Sequence, residues 1–215
     1  VPWREKFSTP TRWTRAKRAT PANPVPGAAG AVIAAPSSGC GKTTITLGLL
    51  RYFARNNIPV SSFKVGPDYI DPGFHAAASG RPCLNIDTWA MRPETTTALF
   101  AEAAAHAQIV IGEGVMGLFD GAQVSSGSAS GSTADTAATL GLPVILVVDA
   151  GAQAQSAAAV IHGFATFRDD VTVAGVVFNR VGSPRHANML TSAAAPLGIP
   201  VLGCVPRNPD IAVPD

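Results

Sequence analysis

Lys42 is the residue most plainly placed to do chemistry, because it closes the run Pro36-Ser-Ser-Gly-Cys-Gly41 and opens Lys42-Thr43-Thr44. An apolar stretch precedes this run and a helical stretch follows it, the context of a phosphate-binding loop. In such a loop successive backbone N–H groups and a helix N-terminus cradle an anion, here from Ser38, Gly39, Cys40, Gly41, Lys42, Thr43 and Thr44. The Lys42 ammonium would neutralise β- and γ-phosphate oxygens and the Thr43 hydroxyl would ligate Mg²⁺. One departure from the general pattern is Pro36, which stands where the first glycine is usual. Two acidic runs add to this loop: Lys64-Val-Gly-Pro-Asp68-Tyr-Ile-Asp71-Pro-Gly-Phe-His75 and Glu113-Gly-Val-Met-Gly-Leu-Phe-Asp120-Gly121. Asp68 and Asp71, on a loop shaped by Pro and Gly, would be ordinary turn formers if they stood alone. With Glu113 and Asp120 they place carboxylates at one edge of a sheet, able to hold Mg²⁺ and position an acceptor against a γ-phosphate.

The elements that must position these groups alternate along the chain. Residues 30–35, 60–65, 109–112, 144–148, 171–178 and 201–205 read as buried strands, rich in β-branched residues and bounded by turn formers. Helices are expected at 42–57, 93–107, 133–140, 152–166 and 184–196. Strands apolar on both faces, alternating with helices, predict an α/β fold: a mainly parallel sheet with helices on both sides. Ligands then collect at the carboxyl ends of the strands. Asn179 and Pro206 follow late strands, where a nucleotide base would lie, and are candidates to contact it. Asp149, at another strand end, suits a helix cap or the site equally. The Gly/Ser-rich stretch 125–132 reads as a substrate-closing lid or a tolerant surface loop. His75 and His186 adjoin the functional-looking loops, His106 and His162 fall on helices, and no Ser/His/Asp arrangement stands out.

Composition excludes several alternatives. The 215 residues are 47% hydrophobic and 14% charged, enough to bury a core and unlike a disordered chain. No run reaches the roughly 18–20 apolar residues of a membrane span. Cys40, Cys83 and Cys204 are odd in number and lack metal-ligand spacing, which favours a reducing, cytoplasmic setting. The net charge of +2 is unevenly spread: residues 1–29 carry six basic side chains and one acid, so residues 30–215 are net negative. That argues against nucleic acid as a partner of the folded part. It divides the chain into a flexible, Pro/Ala-rich basic extension (1–29) and one domain (30–215).

The two acidic runs together resemble the cobyrinic or hydrogenobyrinic acid a,c-diamide synthase family of cobalamin biosynthesis. Ala35 to Thr44, with its Pro36, Gly131-Ser-Thr-Ala134 and Asn179-Arg-Val-Gly-Ser-Pro-Arg-His186 fit the same pattern, over about residues 30–215. The resemblance implies a P-loop NTPase fold of the dethiobiotin synthetase-like type, with ATP and Mg²⁺ as cofactors. It implies that the a and c carboxylates of the corrin attack the γ-phosphate, and that ammonia displaces phosphate from the acyl phosphate. Gly39, Gly41, Lys42, Thr43 and Thr44 would hold phosphates, Thr43, Asp68 and Glu113 would ligate Mg²⁺, and Asn179 would read the base. Asp71 and Asp120 would assist metal, substrate or ammonia placement. The implied partners are a corrinoid tetra-acid substrate and a C-terminal glutaminase domain, absent from this chain, that supplies ammonia; a homodimer is compatible. Cys204 lacks the nucleophile elbow needed to replace that domain. A related amidoligase acting on another tetrapyrrole or a biotin precursor is the nearest alternative. A partitioning-type ATPase is a more distant one, since an early loop lysine is missing between Pro36 and Gly41.

Overall fold

The computed structural model describes residues 29–123 and 129–211. The basic extension up to residue 28 and residues 125–128 of the Gly/Ser stretch therefore lie outside the described residues. Seven strands, β1 (Ala29–Ala34), β2 (Val60–Val65), β3 (Cys83–Ile86), β4 (Ile109–Glu113), β5 (Val144–Asp149), β6 (Val173–Val181) and β7 (Val201–Pro206), form one sheet ordered β3-β2-β4-β1-β5-β6-β7. Every pairing is parallel. The helices are α1 (Lys42–Arg55), α2 (Asp71–Ser79), α3 (Pro93–Ala104), α4 (Thr133–Leu140), α5 (Ser156–Thr166) and α6 (Pro184–Ala194).

Alternation along β1 shows why both faces are covered. Val32 and Ala34 enter one core with Phe100 of α3, Ala137 of α4, Ile161 of α5 and Leu190 of α6. Ile33 and Ala35 enter the other, against Ile45 and Leu50 of α1, with Ala78 of α2 packed beside them. Successive side chains of a strand point to opposite faces, so each buried strand supplies both cores.

Strand β4 lies between β1 and β2, which brings the loops after these three strands together. A row of paired residues crosses the sheet here: Glu113 stands opposite Ile33 and Lys64, and Lys64 opposite Asn85. One residue earlier, Gly112 pairs with Phe63, and a Cβ on Gly112 would lie 2.2 Å from the Phe63 ring. Gly112→Ala should therefore destabilise the protein by about 1–3 kcal/mol through overpacking. Denaturant unfolding checks this, and an unchanged midpoint would contradict the packing.

The structure corrects the sequence-based elements in two places. Residues 71–86 hold α2 and β3, neither of which was expected. Pro72 and Gly73 look like turn residues, yet Pro fits the first turn of a helix, and Gly80 ends α2 in the left-handed conformation at φ 74°. β3 has only four residues and includes Asn85, too short for a periodic signal. Asn179 and Arg180 lie inside β6, not after it, with Arg180 at φ 57° where the pairing with β7 shifts register.

Candidate active site

The phosphate loop is shaped by two glycines, Gly39 at φ 77° and Gly41 at φ 96°. At Gly41 there is a second constraint, because a Cβ would lie 2.1 Å from the Asn179 Nδ2. Asn179 donates from Nδ2 to the Cys40 carbonyl at 2.9 Å and accepts the Arg180 N–H at Oδ1. Its amide is thus committed at both ends, and the side chain lines neither cleft of the site. In this arrangement its contacts brace the loop from below. Lys42 donates from Nζ to the Ser37 carbonyl at 3.2 Å and to the Met116 carbonyl at 2.6 Å. Burial, helped by the charge on Lys64, holds the Lys42 ammonium below its ordinary pKa.

Glu113 is the centre of the acidic side. Its side chain is fully buried, with Oε1 accepting from Thr43 Oγ1 at 2.5 Å and from Lys64 Nζ at 3.1 Å, and Oε2 lying 2.7 Å from His75 Nε2. Burial would raise this carboxyl, but the bonds from His75, Lys64 and Thr43 outweigh it and hold it below the usual range. Lys64 also meets Asp71 Oδ2 at 2.5 Å and lies 3.8 Å from Asp68 Oδ2. Burial pulls the Lys64 pKa down, and the neighbouring Glu113 and Asp71 win and raise it. Likewise burial would lower His75, but its contacts with Cys83 and Glu113 raise it from 6.5 to about 9.

Two open clefts meet at this point, both touching Ser38, Gly39 and Arg180. One, of about 570 Å³, runs from Pro36–Cys40 to Asp149, Gln153 and Arg207 at the ends of β5 and β7. The other, of about 630 Å³, is lined by Lys42, Thr43, Lys64, Asp68, Asp71, Glu113 and Met116 among others. The structure thus brings together the phosphate loop, Asp68, Asp71 and Glu113. Asp68 is half committed, since its Oδ1 accepts the N–H groups of Ile70 and Asp71 and its carbonyl accepts Asn85 Nδ2.

Besides Asn179, two further expected site residues line neither cleft. Asp120 turns back on its own loop, accepting the Gly117 N–H at 2.9 Å, and lines neither cleft. Pro206 ends β7 outside both clefts, while the next residue, Arg207, lines the first. The Gly131–Ala134 run has a bracing role: Thr133 Oγ1 both accepts from Val115 N and donates to Val115 O, tying down the loop after β4. Asp149 accepts the Gly151 N–H at Oδ1 and the Arg180 guanidinium at Oδ2. Lys64, His75, Asn85 and Arg180 are the functional candidates that sequence reasoning did not assign. Lys64 and His75 begin and end the first acidic run, but only the parallel pairing and α2 aim them at Glu113.

Comparison with known proteins shows the family. Residues 31–214 match the family described as CobQ/CobB/MinD/ParA nucleotide binding domain. The chain is 54% identical over 187 residues to hydrogenobyrinate a,c-diamide synthase of Brucella ovis, covering 86% of this chain and 42% of that protein. The same-named proteins of Rhizobium meliloti and Agrobacterium fabrum are 52% and 49% identical, with the same coverage. The chain therefore spans less than half the length of these relatives. Among solved structures, chloroplast FtsY from Physcomitrella patens superposes with a TM-score of 0.54 at 17% identity, over 87% of this chain and 61% of that one. The hydrogenase maturation factor HypB from Archaeoglobus fulgidus gives 0.54 at 13%, over 82% and 81%. These two likenesses speak to the α/β P-loop NTPase fold alone. Loop, sheet and the match over 31–214 lead to one conclusion: the chain belongs to the CobQ/CobB/MinD/ParA nucleotide-binding domain family, on the a,c-diamide synthase side that its acidic motifs indicated.

Proposed function

We propose that this domain uses ATP and Mg²⁺ to amidate the a and c carboxylates of hydrogenobyrinic or cobyrinic acid, with ammonia drawn from glutamine by a glutaminase domain. The observation that carries the reading is the buried Lys64–Glu113 pair, facing the same cleft as Lys42 and Thr43. Phosphoryl transfer to a carboxylate must bring two anions together, and catalysis of it is mostly positioning and charge neutralisation. Lys42 and Lys64 line the same cleft, and Lys42 would supply that neutralisation at the phosphates.

The nucleotide would lie across the loop, with its base in the cleft between Asp149, Gln153, Arg180 and Arg207 and its γ-phosphate in the other. Lys42, released from the Ser37 and Met116 carbonyls, would follow the phosphates. The corrin carboxylate oxygen then bonds the γ-phosphorus as the bond to ADP breaks, and ammonia attacks the acyl carbon as phosphate leaves. Lys64 would steady the approaching carboxylate while Asp71 holds the lysine in place. Among the described residues no three His, Cys, Asp or Glu side chains form a metal cluster. The paired oxygens of Thr43 and Glu113 nonetheless fit Mg²⁺, which takes one or two protein oxygens and fills its shell with water and phosphate. When bound, Mg²⁺ would neutralise charge developing on the phosphate oxygens.

Purified protein supplied with ATP, Mg²⁺ and ammonium should release phosphate and form amide with hydrogenobyrinic or cobyrinic acid. Stimulation by nickel-sirohydrochlorin or a biotin precursor, with none by the corrinoid acids, would replace the substrate assignment by that of a related amidoligase. Asn179→Ala should weaken ATP and GTP binding alike if the side chain acts as a loop brace; an altered ATP/GTP preference would show instead that Asn179 reads the base. No helix among the described residues is long and apolar enough to cross a membrane. We further propose a cytoplasmic setting, a reading that the free Cys40, Cys83 and Cys204 support.

A further inference from the structure

We propose that His75 is the positioning residue of Glu113, holding one carboxylate oxygen from behind so that the other is presented to Thr43 and the phosphate side of the cleft. This rests on the reading of Thr43 and Glu113 as the Mg²⁺ ligands. The two oxygens of Glu113 have separate partners: Oε2 meets His75 Nε2 at 2.7 Å, whereas Oε1 meets Thr43 and Lys64. The imidazole is itself gripped from the far side, with Nδ1 3.3 Å from Cys83 Sγ at the start of β3.

One short helix delivers this arrangement. Asp71 and His75 stand four apart on α2 and so share a face. Asp71 reaches Lys64 and His75 reaches Glu113, so α2 clamps the pair that β2 and β4 place side by side. Packing alone is a poor account of these groups. His75 and Glu113 are both 0% exposed, and an apolar pair of similar volume is commonly as stable as a buried ionic one. Carboxylates that hold metals are characteristically fixed by hydrogen bonds from behind, and loss of such a partner costs about 10–100-fold in metal affinity.

The test measures binding of a fluorescent, non-hydrolysable ATP analogue as Mg²⁺ is titrated, on the protein as it stands. His75→Leu should need about 10–100-fold more Mg²⁺ for the same tightening, with Mg²⁺-free nucleotide affinity unchanged. His75→Gln, whose amide can still donate to Glu113, should recover most of the loss. An unchanged Mg²⁺ midpoint in His75→Leu overturns the inference, as does an equal loss of nucleotide affinity with and without Mg²⁺, which a merely structural histidine would give. Should His75→Leu fail to fold, Cys83→Ala decides. With the ring unbacked, the midpoint should shift several-fold in the same direction, and no shift overturns the proposal. A wild-type protein whose nucleotide affinity ignores Mg²⁺ would instead remove the metal assignment on which the inference stands.

Discussion

Lys42→Ala should lower ADP formation in the presence of corrinoid acid and ammonium by about 10²–10³-fold, the usual cost of deleting a charge-stabilising group from a phosphoryl- or acyl-transfer site. The expected change in stability is small. Lys42 gives its hydrogen bonds to two backbone carbonyls, those of Ser37 and Met116, at the edge of an open cleft. Water can replace it there, so the loss should stay near 1 kcal/mol. The combination of a near-native melting curve with a collapsed rate is the diagnostic result. A variant that keeps its rate within a few-fold would remove Lys42 from the chemistry and with it the functional reading of the loop.

Lys64→Met should behave in the opposite way, with a large loss of stability as well as activity. Lys64 is 4% exposed and is bonded to Asp71 and Glu113 at once. Methionine fills the space but leaves buried carboxylates short of their cation, and breaking a buried pair from one side costs about 3–5 kcal/mol. For a protein of this size that corresponds to a fall in melting temperature of roughly 6–20 °C. The pH dependence should change too. Glu113 has a folded pKa held below its ordinary 4.5, so its stabilisation is complete above that value and disappears as pH falls through the lower folded one. Without Lys64 the folded pKa rises, and acid unfolding should set in at higher pH. A Lys64→Met/Glu113→Gln double variant should cost less than the two single changes summed, because it removes the stranded charge along with its partner. Strict additivity, or a melting temperature equal to wild type in Lys64→Met, would contradict the coupling.

Local pattern was sufficient for much of the fold because each signal was local. Six strands were legible because β-branched runs bounded by Gly, Pro and Asp need no distant partner to declare themselves, and α1 because a Gly-Lys-Thr-Thr start announces a helix. β3 was hidden by its four residues, and α2 by the Pro and Gly of its first turn. Those two omissions explain the main gap in the site. Asn85 sits on β3 and His75 on α2, so neither could be connected to Asp68 or Glu113 until those elements existed.

Composition, motif and spacing by themselves determined that this is an α/β nucleotide-binding domain with a phosphate loop at Lys42, acids at Asp68, Asp71 and Glu113, and the motifs of the a,c-diamide synthases. Tertiary structure decided which of the candidates work together. Placing β4 between β1 and β2 put Glu113 beside both Thr43 and Lys64, although these residues are 70 and 49 positions away in the chain. It also turned Asp120 onto Gly117 and committed Asn179 to the Cys40 carbonyl. The physical reason is the same throughout: a side chain's type and neighbours state what it can bond, while strand order and register, set by burial of the whole sheet, determine which partner comes within about 3 Å.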